Sequence, residues 1–212
     1  MKQIDLTQII SADMPVYPGT EQPELVEACT LAEHGFKELK LTMYTHTGTH
    51  MDSPAHLFSD GLTLDQFPIS QFTGPAIVVD CSNLAPGSNI TADHLSAIEG
   101  IELVDFILFY TGWDKKWGSE EYFESYPTLS ACAATKIVDM KLKGVGVDAI
   151  SVEPADMAEL KIHQILLGNN ILIIENLTML DQLVGSKFAF SCYPLKIAAA
   201  DGSPIRAVAE IF

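Results

Sequence analysis

Four short runs of apolar, β-prone residues limit the folds open to this chain: Ala76–Asp80 (AIVVD), Val104–Tyr110 (VDFILFY), Val145–Asp148 (VGVD) and Ile171–Glu175 (ILIIE). None alternates apolar with polar residues, so each reads as a strand covered on both faces rather than one with a wet side. Strands of that kind need helices over them. Two stretches supply the pattern. Thr91–Ile98 opens with a threonine suited to an N-cap, and Thr128–Lys143 has apolar residues at helical spacing, lysines in its last turn and Gly144 as the expected stop. Buried strands alternating with helices predict an α/β layered domain. The tail, Lys187–Ile197 and Ile205–Ile211, reads as two more strands around an Asp201-Gly202 turn.

Composition narrows the partners. The 212 residues are 48% hydrophobic and contain no repeat or linker-like tract, so one domain spanning 1–212 is expected. A net charge of -16 argues against binding nucleic acid or an anionic membrane surface. No apolar stretch approaches the roughly 20 residues of a membrane helix. The N-terminal segment lacks a signal-peptide pattern, so a cytoplasmic protein is expected. Cys29, Cys81, Cys132 and Cys192 form no CxxC pair and read as free, mostly buried thiols.

The segment Thr45–Leu57, T-H-T-G-T-H-M-D-S-P-A-H-L, carries three of the six histidines. His46, His50, Asp52 and His56 share one parity, so an extended chain would aim all four the same way. A straight strand would hold His46 and His50 about 13 Å apart, too far to clamp one ion. The chain must therefore bend at Gly48, and Pro54 keeps the segment from running on as an inner strand. Two imidazoles and a carboxylate suit zinc or manganese. Glu175 ends a buried run, where a carboxylate either meets a cation or turns to solvent. His163, in KIHQILLGNN, reads alone as a packed, surface or ligating histidine.

The spacing His-x-Gly-Thr-His-x-Asp-x-Pro-x-His, met at every fixed position from His46 to His56, resembles the signature of the metal-dependent cyclase/hydrolase family. That family includes bacterial kynurenine formamidases (arylformamidases) and isatin hydrolases. Gly146-Val147-Asp148 with Ser151-Val152-Glu153-Pro154 resembles a second family stretch, and the tail from Pro194 to Val208 a third. The resemblance implies a swivelling β/β/α fold with a mixed sheet core, and a homodimer or larger assembly.

It also implies two divalent cations, Zn2+ first and Mn2+ as the alternative. His46, His50 and Asp52 would hold the first, His163 the second, and Asp52 and Glu175 both. His56 would be the acid–base catalyst. The implied reaction is attack of a metal-bound hydroxide on the formamide of an aromatic substrate, N-formyl-L-kynurenine foremost. Ring opening of a cyclic amide or lactone, or metal binding without turnover, are the alternatives. Bacterial formamidases have a Trp before Pro-Gly in the N-terminal loop; Tyr17 stands there in this chain, as a substrate-stacking candidate.

Overall fold

All four apolar runs form strands in the computed structural model, which describes residues 2–98, 103–155 and 159–211. In chain order the strands are β1 (Lys2–Asp5), β2 (Glu24–Cys29), β3 (Glu38–Thr42), β4 (His50–Asp52), β5 (Thr73–Asp80), β6 (Asn89–Ile90), β7 (Phe106–Tyr110), β8 (Thr128–Leu129), β9 (Gly144–Val147), β10 (Leu172–Glu175), β11 (Phe188–Pro194) and β12 (Gly202–Ile211). The α-helices are α1 (Leu31–His34), α2 (Ala131–Asp139) and α3 (Lys161–Leu167).

The runs predicted to be buried on both faces are largely so, with Ile77 of β5 half-buried and Asp80 at its end exposed. Every residue of β7, β9 and β10 is buried, and these strands with β5 make the parallel part of the sheet. Antiparallel strands complete it. The order runs β12-β11-β5-β7-β9-β10-β4, and β4 pairs back onto β12, which closes the sheet into a barrel-like ring. The architecture is mixed α/β, as expected. β12 makes the closure workable: one edge pairs with β11, while its other edge takes β1 near Val208–Ile211 and β4 at Gly202–Pro204.

Two cores follow from strand parity. Phe106 and Leu108 on β7, Leu172 and Ile174 on β10 and Met51 on β4 fill the ring. Ile107, Phe109 and Ile173 point the other way and pack under α2 and α3. His50 and Asp52 flank Met51 on β4, so they leave the ring interior on the helix-covered side. Glu175 leaves on that side too, because it pairs with His50 across the β4–β10 ladder.

Several boundaries differ from the sequence reading. The Thr91–Ile98 stretch is a 3-10 helix, Ala92–Ile98. The predicted Thr128–Lys143 helix is shorter: Thr128 and Leu129 pair in β8, and Ser130 caps α2 by accepting from the Ala133 amide. Gly144 is not its stop. Lys141 takes the left-handed conformation (φ 56°), and Gly144 opens β9, where a Cβ would press on Ile174, Leu172 and Phe106. Nor is Asp201-Gly202 a tight turn between the tail strands, because β11 ends at Pro194 and β12 begins at Gly202. Cys81 and Cys192 are buried, but Cys132 is exposed and Cys29 half-buried, so the thiols are less buried than expected. Among the described residues, no helix is long and apolar enough to cross a membrane.

Candidate metal centre

The bend expected at Gly48 is present. Its φ of 68° is one that favours glycine, and it turns the chain between His46 and the start of β4. Asn176, just after β10, holds this bend by donating its side-chain amide to the Gly48 carbonyl at 2.8 Å. Past β4, Pro54–His56 forms a 3-10 turn that swings His56 back towards His46, ring centroids 4.0 Å apart. His163 arrives from α3, which packs over the β10 side of the sheet.

His46, His50, Asp52, His163 and Glu175 are brought together by these elements. Asp52 Oδ1 lies 3.3 Å from His50 Nε2, and its Oδ2 lies 3.7 Å from His163 Nε2. Glu175 repeats the arrangement, with Oε2 and Oε1 each 3.5 Å from the same two nitrogens. His46 Nδ1 is 2.6 Å from Asp52 Oδ1.

The free nitrogens of His50 and His163 are set by partners on their other edges. His50 Nδ1–H donates to the Gly48 carbonyl at 2.8 Å, and His163 Nδ1–H to Glu153 Oε1 at 2.5 Å. Both Nε2 atoms are thereby turned on the carboxylates, the arrangement of metal-ligating histidines.

The donor set fits divalent cations. Asp52 and Glu175 are buried, and no lysine or arginine of the described residues forms an ion pair with either. Buried carboxylates need a cationic partner. Bonds of 2.0–2.2 Å in a tetrahedral shell place neighbouring ligand atoms about 3.4 Å apart, close to the 3.3–3.7 Å found between the Nε2 atoms and the carboxylate oxygens. His46, His50 and Asp52 make one group with ligand atoms within 4.8 Å of one another; Asp52, His163 and Glu175 make a second.

Electrostatics of the cluster are dominated by these carboxylates. Burial opposes charge on His46, but attraction to Asp52 and hydrogen bonds to Asp52 and Asp201 overcome it and raise its pKa to about 9. Burial is likewise outweighed at His163, which Glu153 and Glu175 raise to about 10. His56 goes the other way. Burial holds it below its ordinary value against the pull of Asp52, and His46 and His163 add to the depression.

The cluster forms the floor of a cleft of about 380 Å3 whose walls include Tyr17, Tyr44, Ile150, Pro154 and Leu160. Tyr17 stands on that wall, with its hydroxyl donating to the Ala155 carbonyl at 2.8 Å. Two acidic residues at the site were missed as site residues. Asp201, read from sequence as part of a turn, lies 3.0 Å from His46 Nε2 and 3.5 Å from His56 Nδ1. Glu153 reads from the sequence only as part of the second family stretch. Besides receiving His163 Nδ1–H, it accepts from the Ile162 and His163 amides at 3.1 Å. Trp113 is buried, with its indole N–H on the Tyr122 carbonyl, and so serves packing.

The cyclase family model matches residues 4–154, a span that contains the whole His46–His56 segment. This chain belongs to the cyclase family. The kynurenine formamidase of Bacillus cereus is 34% identical to it over 206 residues, covering 97% of this chain and 95% of the relative. Among solved structures, an isatin hydrolase bound to the product analogue thioisatinate superposes with a TM-score of 0.89 at 25% identity, covering 99% of this chain and 92% of the other. A structure described as a predicted metal-dependent hydrolase from Bacillus stearothermophilus superposes with a TM-score of 0.81 at 28% identity, over 98% and 97%. By name these relatives are a formamidase and hydrolases, and this chain is a hydrolase of the same family.

Proposed function

We propose that this cyclase-family hydrolase is an arylformamidase, cleaving N-formyl-L-kynurenine with two divalent cations, zinc first and manganese second. One observation carries the reading: Asp52 and Glu175 each turn one oxygen towards His50 and the other towards His163. Two carboxylates shared in this way suit a pair of cations rather than one. In this reading His46, His50 and Asp52 hold the first cation, His163 the second, and Asp52 and Glu175 both. The chemistry such a pair supplies when bound is acidification of water and polarisation of a carbonyl oxygen.

The remaining work falls to the chain. His56, beside the cluster and with its pKa held down by burial, accepts a proton and returns it to the leaving nitrogen. Ile150 and Leu160 give the cleft an apolar wall beside the cluster. Tyr17 offers a ring for the aryl group of the substrate to pack on. The 34% identity to the Bacillus cereus enzyme over 97% of the chain supports the formamide substrate. Hydrolysis of a cyclic aryl amide is the second reading, supported by the likeness to the thioisatinate-bound isatin hydrolase; it uses the same residues.

The test is an absorbance assay of the purified protein on N-formylkynurenine and on isatin, with zinc, with manganese and with a chelator. Release of kynurenine that stops on chelation and returns with metal is expected. Isatin opening without kynurenine release would move the conclusion to the second reading. Turnover indifferent to the chelator would contradict the metal assignment.

A further inference from the structure

Asp201 has no part in the ligand set above, yet it touches both His46 and His56. Its position is fixed by the fold. Gly202 pairs with Asp52 at the β12–β4 closure, and the Asp201 carbonyl accepts from both the amide and the hydroxyl of Ser53, at 2.8 and 2.9 Å. The side chain is oriented too: Thr45 Oγ1–H donates to Oδ1 at 3.2 Å, which leaves Oδ2 to the histidines. Oδ2 sits 3.0 Å from His46 Nε2 and 3.5 Å from His56 Nδ1. The next residue must be small for this to hold, since a Cβ on Gly202 would fall 2.5 Å from His46 Cε1.

We propose that Asp201 is a positioning residue that holds His56 through Nδ1 and so presents its Nε2 to the cleft. The assignment rests on the acid–base reading of His56. A carboxylate that accepts Nδ1–H selects one of the two imidazole tautomers and one ring orientation. The 3.5 Å separation is of the kind that tightens when substrate closes over a site. The same oxygen receives His46 Nε2, while His46 Nδ1 faces Asp52. Asp201 thus ties the acid–base histidine to the ligand cluster at a fixed distance, and a shift of one ring is felt by the other.

The experiment uses Asp201→Ala, Asp201→Asn, His56→Ala and the Asp201→Ala/His56→Ala double variant, all zinc-loaded. Metal content is measured by atomic emission, kcat and KM on whichever of N-formylkynurenine and isatin the wild-type protein turns over, and ring tautomers by 15N-histidine NMR. In the wild type the His56 ring is expected as a single Nδ1–H tautomer. Asp201→Ala should turn this into a tautomer mixture while keeping its zinc. It should also lower kcat by roughly tenfold or more with little change in KM. Added to His56→Ala, it should cost little further, because residues acting through one another are non-additive. Asp201→Asn should lie between wild type and Asp201→Ala. Zinc lost in step with activity would make Asp201 a ligand and overturn the inference, as would additive losses or an unchanged tautomer. A His56→Ala variant with full kcat would remove the acid–base reading itself, and Asp201's role with it; full kcat in Asp201→Ala alone would overturn only the present inference.

Discussion

The Glu153 carboxylate receives the Nδ1 proton of His163 at 2.5 Å and, through the Ile162 and His163 amides, also secures the start of α3. His163 therefore meets Asp52 and Glu175 with a chosen nitrogen at a chosen angle. Partners of this kind change metal affinity by about 10- to 100-fold when lost. Glu153→Gln keeps the shape and removes the charge, so it should weaken zinc binding by that factor while leaving the fold intact. Competition with a chromophoric chelator measures it; unchanged affinity would mean that α3 alone places His163.

His56 tests the division between holding a cation and moving a proton. His56→Ala should keep its metal content and lose about 10²–10⁴ in kcat, the usual contribution of a general acid–base. Asp52→Ala should lose metal, because Asp52 stands between His46, His50 and His163. Metal analysis beside turnover separates the two. If His56→Ala proved metal-poor, His56 would belong to the ligand set.

The raised pKa values of His46 and His163, about 9 and about 10 against an ordinary 6.5, give the metal-free protein a pH signature. A group raised on folding contributes stability that is complete below its unfolded value and lost as pH climbs through its folded value. The metal-free protein should therefore melt at progressively lower temperature between about pH 7 and pH 10. Zinc needs both imidazoles neutral, so loading at pH 7 should release about two protons. Calorimetry in buffers of different ionisation enthalpy counts them. Zinc uptake without proton release would mean that these rings are neutral beforehand.

Part of this cluster was legible in the sequence because His46, His50 and Asp52 sit on one short segment. The shared parity of His46, His50 and Asp52, with Gly48 between the two histidines, predicted a bend and a common face; Gly48 makes the bend and β4 sets His50 and Asp52 on one face. The parallel strands were legible for a related reason: a run such as FILFY leaves no polar side to face water. What was hidden depends on pairing between distant parts of the chain. Asp201 reads as a turn residue until the β12–β4 ladder sets it beside Ser53. Likewise, Gly144 reads as a helix stop until the crowding around β9 is seen to demand a glycine.

Tyr17 stands where the formamidase motif has tryptophan, on the cleft wall and tethered by its hydroxyl to Ala155. Aromatic packing is worth about 0.5–1.5 kcal/mol, so Tyr17→Ala should raise KM by up to roughly tenfold with kcat nearly unchanged. Tyr17→Trp should keep KM within about threefold of wild type or lower it. A fall in kcat with constant KM would place Tyr17 in the transition state rather than in substrate binding.

Gly202 offers the sharpest test of how tightly the barrel closure holds the cluster. A methyl group there would meet His46 Cε1 at 2.5 Å and Nε2 at 2.6 Å, distances at which something must move. The strand is pinned by its pairing with Asp52, so the ring is the part that yields. Gly202→Ala should therefore displace His46 from Asp52 and Asp201 and lower metal affinity, at a stability cost of about 1–3 kcal/mol. Strain on one ring has a corollary: removing that ring should relieve it. The Gly202→Ala/His46→Ala protein, measured metal-free by thermal melting, should be about as stable as His46→Ala alone. If the two destabilisations instead add, the methyl is displacing backbone rather than His46, and the close approach of β12 to the ring is not what the glycine is for.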